Sequence, residues 1–293
     1  MKKVIIAGGT GFIGSYLKTR FIENGYDVFL VSRLPDHIQW EVDELSHELE
    51  GAELVINLAG KSINCRHTPK NQEVIIQSRI ESTTMIGNAI QKCKNPPKLW
   101  INASATGIYQ ASEIKSMTED ETELGNDFLA EVVTKWEKSF FEFQFSATRQ
   151  IALRTSVVLG KNGGALSPLV QLTRFGLGGK QASGKQMFSW IHLEDYFRII
   201  QFALQNKNLE GFLNCTSPEP LSNKNFMGIL RKILHVSIGL PAPKLAIQFA
   251  AMIIGTEPEL ILISSYVTPK RLTEAGFSFR FPSLNSALIN LLN

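Results

Sequence analysis

The chain begins KKVIIAGGTGFIGSYL, an apolar run that gives way to four glycines within seven residues and then resumes with helical spacing. No other stretch limits the fold as much. Gly8, Gly9, Gly11 and Gly14 stand between a Val/Ile-rich segment and a longer mixed one, so the sequence predicts strand, tight turn and helix in immediate succession. Such a turn leaves the first amides of the helix free and lets a ligand approach bare backbone, the arrangement that receives the pyrophosphate of a dinucleotide. The spacing is Gly-x-x-Gly-x-x-Gly through Gly8, Gly11 and Gly14. A Walker A phosphate loop is excluded, because Gly14 is followed by Ser15 and Tyr16 and not by Lys and a hydroxyl residue.

The rest of the chain supplies the context that such a turn needs. KVIIAG, DVFLVS, ELVINLAG, LWINAS, IALRT and GFLNCT are short apolar runs bounded by Gly, Asn, Ser or Thr. Their continuous apolarity suits strands buried on both faces, as in a parallel sheet covered by helices. Between them lie helix candidates: FIGSYLKTRFIENG closes on Gly25, and PKNQEVIIQSRIESTTMIGNAIQKCK starts with proline in its first turn. The expected fold is α/β, a Rossmann-type doubly wound parallel sheet. Past Gly160 the pattern becomes glycine-rich and irregular, and after Cys215 it reads mainly as helices, with Ser222 and Ser283 as N-caps. We therefore expect a nucleotide-binding domain over 1–160, with a core strand and helices also drawn from 190–215, and a smaller, mainly helical C-terminal lobe within 161–293.

The second strand ends in Ser32 and Arg33, with no acid at that junction. An acid there holds a ribose 2′-hydroxyl, whereas a guanidinium holds a 2′-phosphate through paired charge-assisted hydrogen bonds. This favours NADP(H) over NAD(H).

Composition removes other classes. The 293 residues are 44% hydrophobic and 19% charged with a net charge of +3, and the basic residues are spread along the chain. Neither a nucleic-acid partner nor a membrane partner is expected. Cys65, Cys93 and Cys215 are few and far apart, which fits a reducing cytoplasm and no zinc site. The longest apolar stretch, near LAIQFAAMIIG, falls well short of the ~20 residues that span a bilayer.

The segments AGGTGFIG, INLAG, INASATGIY, LRTSVVLG, GGALSPLVQLTRFGLGG, FSWIHLEDY and VTPKRLTEAGFSFRFPSLNSAL together resemble the epimerase-like branch of the extended short-chain dehydrogenase/reductase superfamily. More narrowly, the chain is similar to an atypical NADP-binding family with a small C-terminal domain of unknown function, here about 238–288, whose members carry sugar nucleotide epimerase or cell-division-inhibitor-like labels. The resemblance places Gly8, Thr10, Gly11, Phe12, Ile13 and Gly14 on the pyrophosphate, and Ser32 and Arg33 on the adenosine phosphate. It carries Leu58, Ala59 and Gly60 past the end of a fourth strand and along the cofactor, with Lys61 where many relatives have an acid. Arg66 matches a family arginine that either approaches the cofactor or lies at the surface.

Superfamily enzymes use a Tyr-x-x-x-Lys pair on a helix, in which the lysine depresses the tyrosine pKa and the phenol trades a proton with the substrate. In DFLAEVVTKWEKSF, with Glu137 setting the register, those positions fall on Leu129 and Val133, and Lys135 is two residues out of step. Ser104, expected after a fifth strand, matches the superfamily's catalytic serine or else closes a strand-end turn. Tyr109 is a candidate substitute acid or a packed ring. Trp190 and His192 are candidates for the substrate side, Asp195 caps or anchors a helix start, and Asp120 and Glu121 form a solvated connection. Two readings follow: an NADP(H)-dependent oxidoreductase or epimerase-like enzyme acting on an unidentified small molecule, or a non-catalytic NADP(H) sensor that acts through a protein partner.

Overall fold

The computed structural model describes residues 2–161 and 163–293; Met1 and Asn162 lie outside them. Each of the six apolar runs forms a strand: β1 (Lys2–Ala7), β2 (Tyr26–Val31), β3 (Leu54–Asn57), β4 (Leu99–Ala105), β5 (Arg149–Thr155) and β6 (Gly211–Cys215). They make one sheet in the order β6-β5-β4-β3-β1-β2, parallel throughout. Its two faces explain the unbroken apolarity. Val4 and Ile6 pack with Leu17, Phe21, Phe197 and Ile200, whereas the alternate residues Ile5 and Ala7 pack with Leu45, Leu49, Ile86 and Phe140. Both sets of side chains are buried because helices cover both faces.

The helices of the first half are α1 (Phe12–Glu23), α2 (Val42–Leu49), α3 (Pro69–Lys92) and α4 (Phe128–Phe141). Gly25 takes the left-handed conformation just beyond α1, with φ of 79°, which glycine adopts without steric cost. Thr68 caps α3 through its hydroxyl, ahead of Pro69 in the first turn. This proline sits where its missing N–H costs no helical bond.

The chain leaves β1 in one direction to reach β2 and returns on the other side to build β3 to β6, so the turn after β1 opens at the point where strand order reverses. Relative to the classic 3-2-1-4-5-6 order, the described residues form no strand beyond β2. The segment after β2 contains Pro35, which has no amide to donate, and contributes only Ile38, bridged to Val31. The segment ending in Leu58–Gly60 is therefore the third strand and not the fourth, and Ser104 ends the fourth and not the fifth.

Apart from the short helices Leu166–Leu172 and Glu259–Leu262, the later helices are α5 (Leu193–Gln205), α6 (Asn223–Ile233), α7 (Lys244–Ile254), α8 (Lys270–Glu274) and α9 (Leu284–Leu292). Ser222 and Ser283 cap α6 and α9 with their hydroxyls. A separate core forms here from Trp190, Phe226, Leu230, Leu284 and Leu288, while Leu272 and Phe277 reach back into the main core. Small sheets join Val157–Gly160 to Trp190–His192 and Met187–Phe188 to Leu221–Ser222. The result is a doubly wound parallel sheet with a smaller, mainly helical C-terminal region. Among the described residues no helix is long and apolar enough to cross a membrane.

Candidate cofactor and active site

Three glycines of the first turn do three different things. At Gly8, φ is 76° and an added Cβ would lie 2.9 Å from the Leu58 carbonyl carbon, so this residue makes the turn and admits β3 alongside it. At Gly14 a Cβ would stand 2.4 Å from the Gly8 carbonyl oxygen, which pins α1 against the loop. Gly11 is different. A Cβ there would meet only the Gly8 carbonyl oxygen at 3.4 Å, an ordinary contact. The space that Gly11 leaves is not needed by the protein and fits a ligand's approach.

Gly11 is also the N-cap of α1, with no side-chain cap and no acid in the first turn. The first amides of a helix have no intrahelical acceptor, so the turn presents N–H groups and the positive end of the helix. Phe12 packs beside Gly160, Gly163 and Gly164, joining this turn to the chain beyond β5. Thr10 is exposed and Ile13 packs against the main core.

At the end of β2 the two expected residues separate. The Ser32 hydroxyl lies 2.7 Å from His37 Nδ1 and accepts the Leu34 amide at 3.0 Å, shaping its own loop. Arg33 is exposed, and among the described residues no acid or carbonyl holds it. Past β3, Leu58 is held by its amide on the Ala7 carbonyl and Ala59 by its amide on Asn57 Oδ1. Gly60 lies against the side chain of Arg79, which donates to the Lys61 carbonyl at 3.0 Å. Burial lowers the Arg79 pKa to about 10. Arg66 pairs with Glu257 at 3.3 Å, and Glu257 also accepts the His67 amide at 2.6 Å. Arg66 therefore ties the loop after β3 to the segment after α7.

The catalytic candidates lie in a buried polar row across β4, β5 and β6, where Ser104 is in register with Arg154 and Arg154 with Asn214. Ser104 Oγ donates to Glu137 Oε1 at 2.6 Å. Arg154 grips the same carboxylate with Nε and Nη2, both at 2.8 Å, and donates from Nη1 to the Tyr109 oxygen at 2.9 Å. Tyr109 in turn donates to Asn214 Oδ1 at 2.8 Å. Its phenol is buried and already bonded, and burial raises its pKa against the pull of Arg154. Tyr109, expected as either a substitute acid or a packed ring, is thus packed beside Met117 and Val133 with its hydroxyl bonded within the polar row. On α4, Val133 is buried with Ile108, Met117 and Val267, and Lys135 points away to pair with Glu131 at 2.6 Å.

The two substrate-side candidates lie in different surroundings. Trp190 is fully buried in the C-terminal core and its indole N–H donates to the Glu219 carbonyl at 3.2 Å. His192 is the N-cap of α5, with Nδ1 accepting the Glu194 amide at 3.0 Å and the ring stacked on Phe281. Burial lowers its pKa. Asp195 anchors the start of that helix without capping it: in its first turn and fully buried, it accepts the Arg280 and Phe281 amides at 2.8 Å each. In the acidic loop Asp120 is exposed and pairs with Lys270, and Glu121 pairs with Lys115 of the same loop. His192 borders a 460 Å³ cavity between α1 and the end of α9, beside Phe12, Tyr16 and Lys161. A 380 Å³ cavity elsewhere is bordered by Glu137, Arg154, Lys138, Glu119 and Glu121. Neither gathers Ser104, Tyr109, Trp190 and His192 into one cleft. Among the described residues no His, Cys, Asp and Glu cluster could hold a metal ion.

Sequence reasoning missed Asn57, Asn102, Arg154 and Asn214. A signal was present: each is a polar residue inside an otherwise apolar strand. Asn57 Nδ2 donates to Asn102 Oδ1 at 2.8 Å, and both are buried.

Comparison with known proteins agrees with this architecture. The model of the NAD dependent epimerase/dehydratase family matches residues 4–131, and a domain of unknown function (DUF1731) matches 242–291. The chain is 35% identical to the human epimerase family protein SDR39U1, covering 98% of each. It is 34% identical to the epimerase family protein YfhF of Bacillus subtilis, covering 99% of this chain and 97% of the other. The crystal structure of human SDR39U1 (isoform 2) with NADPH superposes with a TM-score of 0.91 at 34% identity, covering 99% of this chain and 98% of that one. A UDP-N-acetylglucosamine 4-epimerase from Bacillus cereus, at 16% identity and a TM-score of 0.74, shares the fold.

Proposed function

Because this chain belongs to the family of epimerase family proteins represented by SDR39U1 and YfhF, we propose that it is an NADP(H)-dependent oxidoreductase or epimerase-like enzyme of the cytoplasm, in which Ser104 and Glu137 handle the proton. The observation that carries the cofactor is the glycine turn, where Gly11 leaves room that no protein atom needs and Arg33 stands unpaired at the end of β2. The free amides of α1 would hold the pyrophosphate and Arg33 the 2′-phosphate, as suits a relative solved with NADPH. Three free cysteines, Cys65, Cys93 and Cys215, fit a reducing compartment.

Bound NADP(H) supplies or accepts a hydride. The protein's part is the proton. A substrate hydroxyl that gives its proton to Ser104 Oγ is matched by movement of the serine proton to Glu137 Oε1, 2.6 Å away. Arg154 keeps the carboxylate in place through two hydrogen bonds, so it is a positioning residue. Glu137 also borders the 380 Å³ cavity, which offers the proton a route outward. In the reducing direction each transfer reverses.

A second reading, a non-catalytic NADP(H) sensor, is favoured by one observation: the loop after β3 is clasped to the segment after α7 through Arg66, His67 and Glu257, a path by which cofactor occupancy could reach a partner surface. Calorimetric titration with NADPH and NADH, then turnover against carbonyl compounds and nucleotide sugars, separates the readings. Absence of NADPH binding overturns both. Turnover that falls in Ser104→Ala and Glu137→Gln, at unchanged NADPH affinity, supports the enzyme and its relay; turnover unaffected by either change removes the relay. Tight NADPH binding without turnover supports the sensor.

A further inference from the structure

The C-terminal region carries an apolar surface that none of the described residues covers. Along α7 only Ile247 and Ala251 are buried, while Leu245 is 79% and Phe249 65% exposed, followed by Met252, Ile253 and Ile254. The patch continues sideways. Leu240 exchanges backbone hydrogen bonds with Gly176 and Gly179, and Ala242 with Lys180 and Ala182, so the exposed side chains of Phe175, Leu177, Ile238 and Leu240 stand on a ribbon that leads directly into α7. Contiguous apolar surface of this extent is uncommon on a protein without a partner there.

Its charge surroundings are one-sided. Residues 163–189 and 220–256 contain seven Lys and Arg and no Asp or Glu, the nearest acids after α7 being Glu257, paired with Arg66, and Glu259, although the whole chain nets only +3. The apparent scatter of basic residues in the sequence becomes a basic region here. Lys180 and Lys224 flank Gly184 on the ribbon, Arg231 donates to the Gly178 carbonyl at 2.6 Å, and Arg174 and Lys244 adjoin Phe175 and Leu245.

We propose that α7 and this ribbon dock on the surface of an anionic lipid bilayer. The charge pattern selects this occupant. A second copy of the chain meeting α7 to α7 would bring two lysine- and arginine-rich surfaces together, whereas anionic headgroups would neutralise them. Nucleic acid would meet a helix whose outward face offers it apolar side chains. In a bilayer the apolar residues enter the boundary between headgroups and acyl chains while the lysines and arginines stay at the phosphates. At 11 residues the helix is about 16 Å long, which suits lying in the interface and not spanning it. Docking is separate from the cofactor turn and does not depend on any catalytic reading.

Co-sedimentation of the full chain with vesicles of phosphatidylcholine alone, or mixed with phosphatidylglycerol, tests the proposal. Binding is expected only to the anionic vesicles and to weaken as salt is raised. Lys244→Ala should lower partitioning about fivefold and Phe249→Ser about tenfold or more, with NADPH affinity and Tm unchanged because both side chains are exposed. Equal behaviour toward the two vesicle types, or binding indifferent to Phe249→Ser, overturns it. So does a vesicle-free dimer in sedimentation equilibrium that Phe249→Ser dissolves, because the patch would then be a self-interface.

Discussion

The glycine turn after β1 and the polar row across β4, β5 and β6 both lie at strand ends of the same sheet, yet their hydrogen-bonding valences are arranged in opposite ways. At the turn, the α1 amides have no side-chain cap and Arg33 has no acid. In the row, Ser104, Glu137, Arg154, Tyr109 and Asn214 satisfy one another. Open valence is what a binding site keeps for its ligand. Closed valence holds a geometry, and a substrate must displace or use a bond already made. The contrast explains why the cofactor is easier to infer than the reaction.

The largest expected effects break the open end. Gly11→Val should abolish binding of NADPH and NADH while the protein stays folded, since a side chain there meets the ligand's path and little protein. Gly14→Val should lose binding and also lower Tm sharply, because even its Cβ would stand 2.4 Å from the Gly8 oxygen. Calorimetry beside thermal melts distinguishes them, and equal losses of Tm would erase the distinction between ligand space and packing space.

The closed end should fail as structure. Arg154→Met leaves Glu137 buried without its partner and should cost about 3–5 kcal/mol in urea unfolding, with NADPH affinity retained. A loss below 1 kcal/mol would mean that the row is not closed in solution. Arg33→Asp should act the other way, leaving unfolding unchanged and shifting the ratio of NADPH to NADH affinities toward NADH by roughly a hundredfold, the worth of two lost charged hydrogen bonds. An unchanged ratio would remove Arg33 from the cofactor.

The smallest effect concerns pH. Burial lowers the His192 pKa among neighbours Glu194, Asp195, Arg280 and Asn290, so below about 6.5 the unfolded chain takes up a proton that the folded one refuses. Stability is then full above that pH and declines beneath it until the folded group titrates. His192→Asn keeps an acceptor for the Glu194 amide, and its urea midpoint should fall less between neutral and mildly acid pH than that of the parent chain. Identical slopes would show that His192 does not carry this dependence.

The six strands, the glycine turn, the proline in the first turn of α3 and the caps at Ser222 and Ser283 were legible in the sequence, because each depends on neighbours a few residues away: period, turn chemistry, first-turn amides. The absence of proton-transferring groups at Leu129 and Val133 was equally legible. By contrast, Ser104 meets Glu137 across 33 positions, Tyr109 meets Asn214 across 105, and Arg66 meets Glu257 beyond α7. No local pattern records such pairings. Trp190 and His192 show the same limit, since a core indole and a helix-capping imidazole share their chemistry with cleft residues and differ only in what surrounds them. The sequence by itself determined the sheet and where a dinucleotide can approach it. Tertiary structure alone decided which polar groups remain open to a ligand and which are spent on one another, because that depends on register between distant strands and on the helices packed across them.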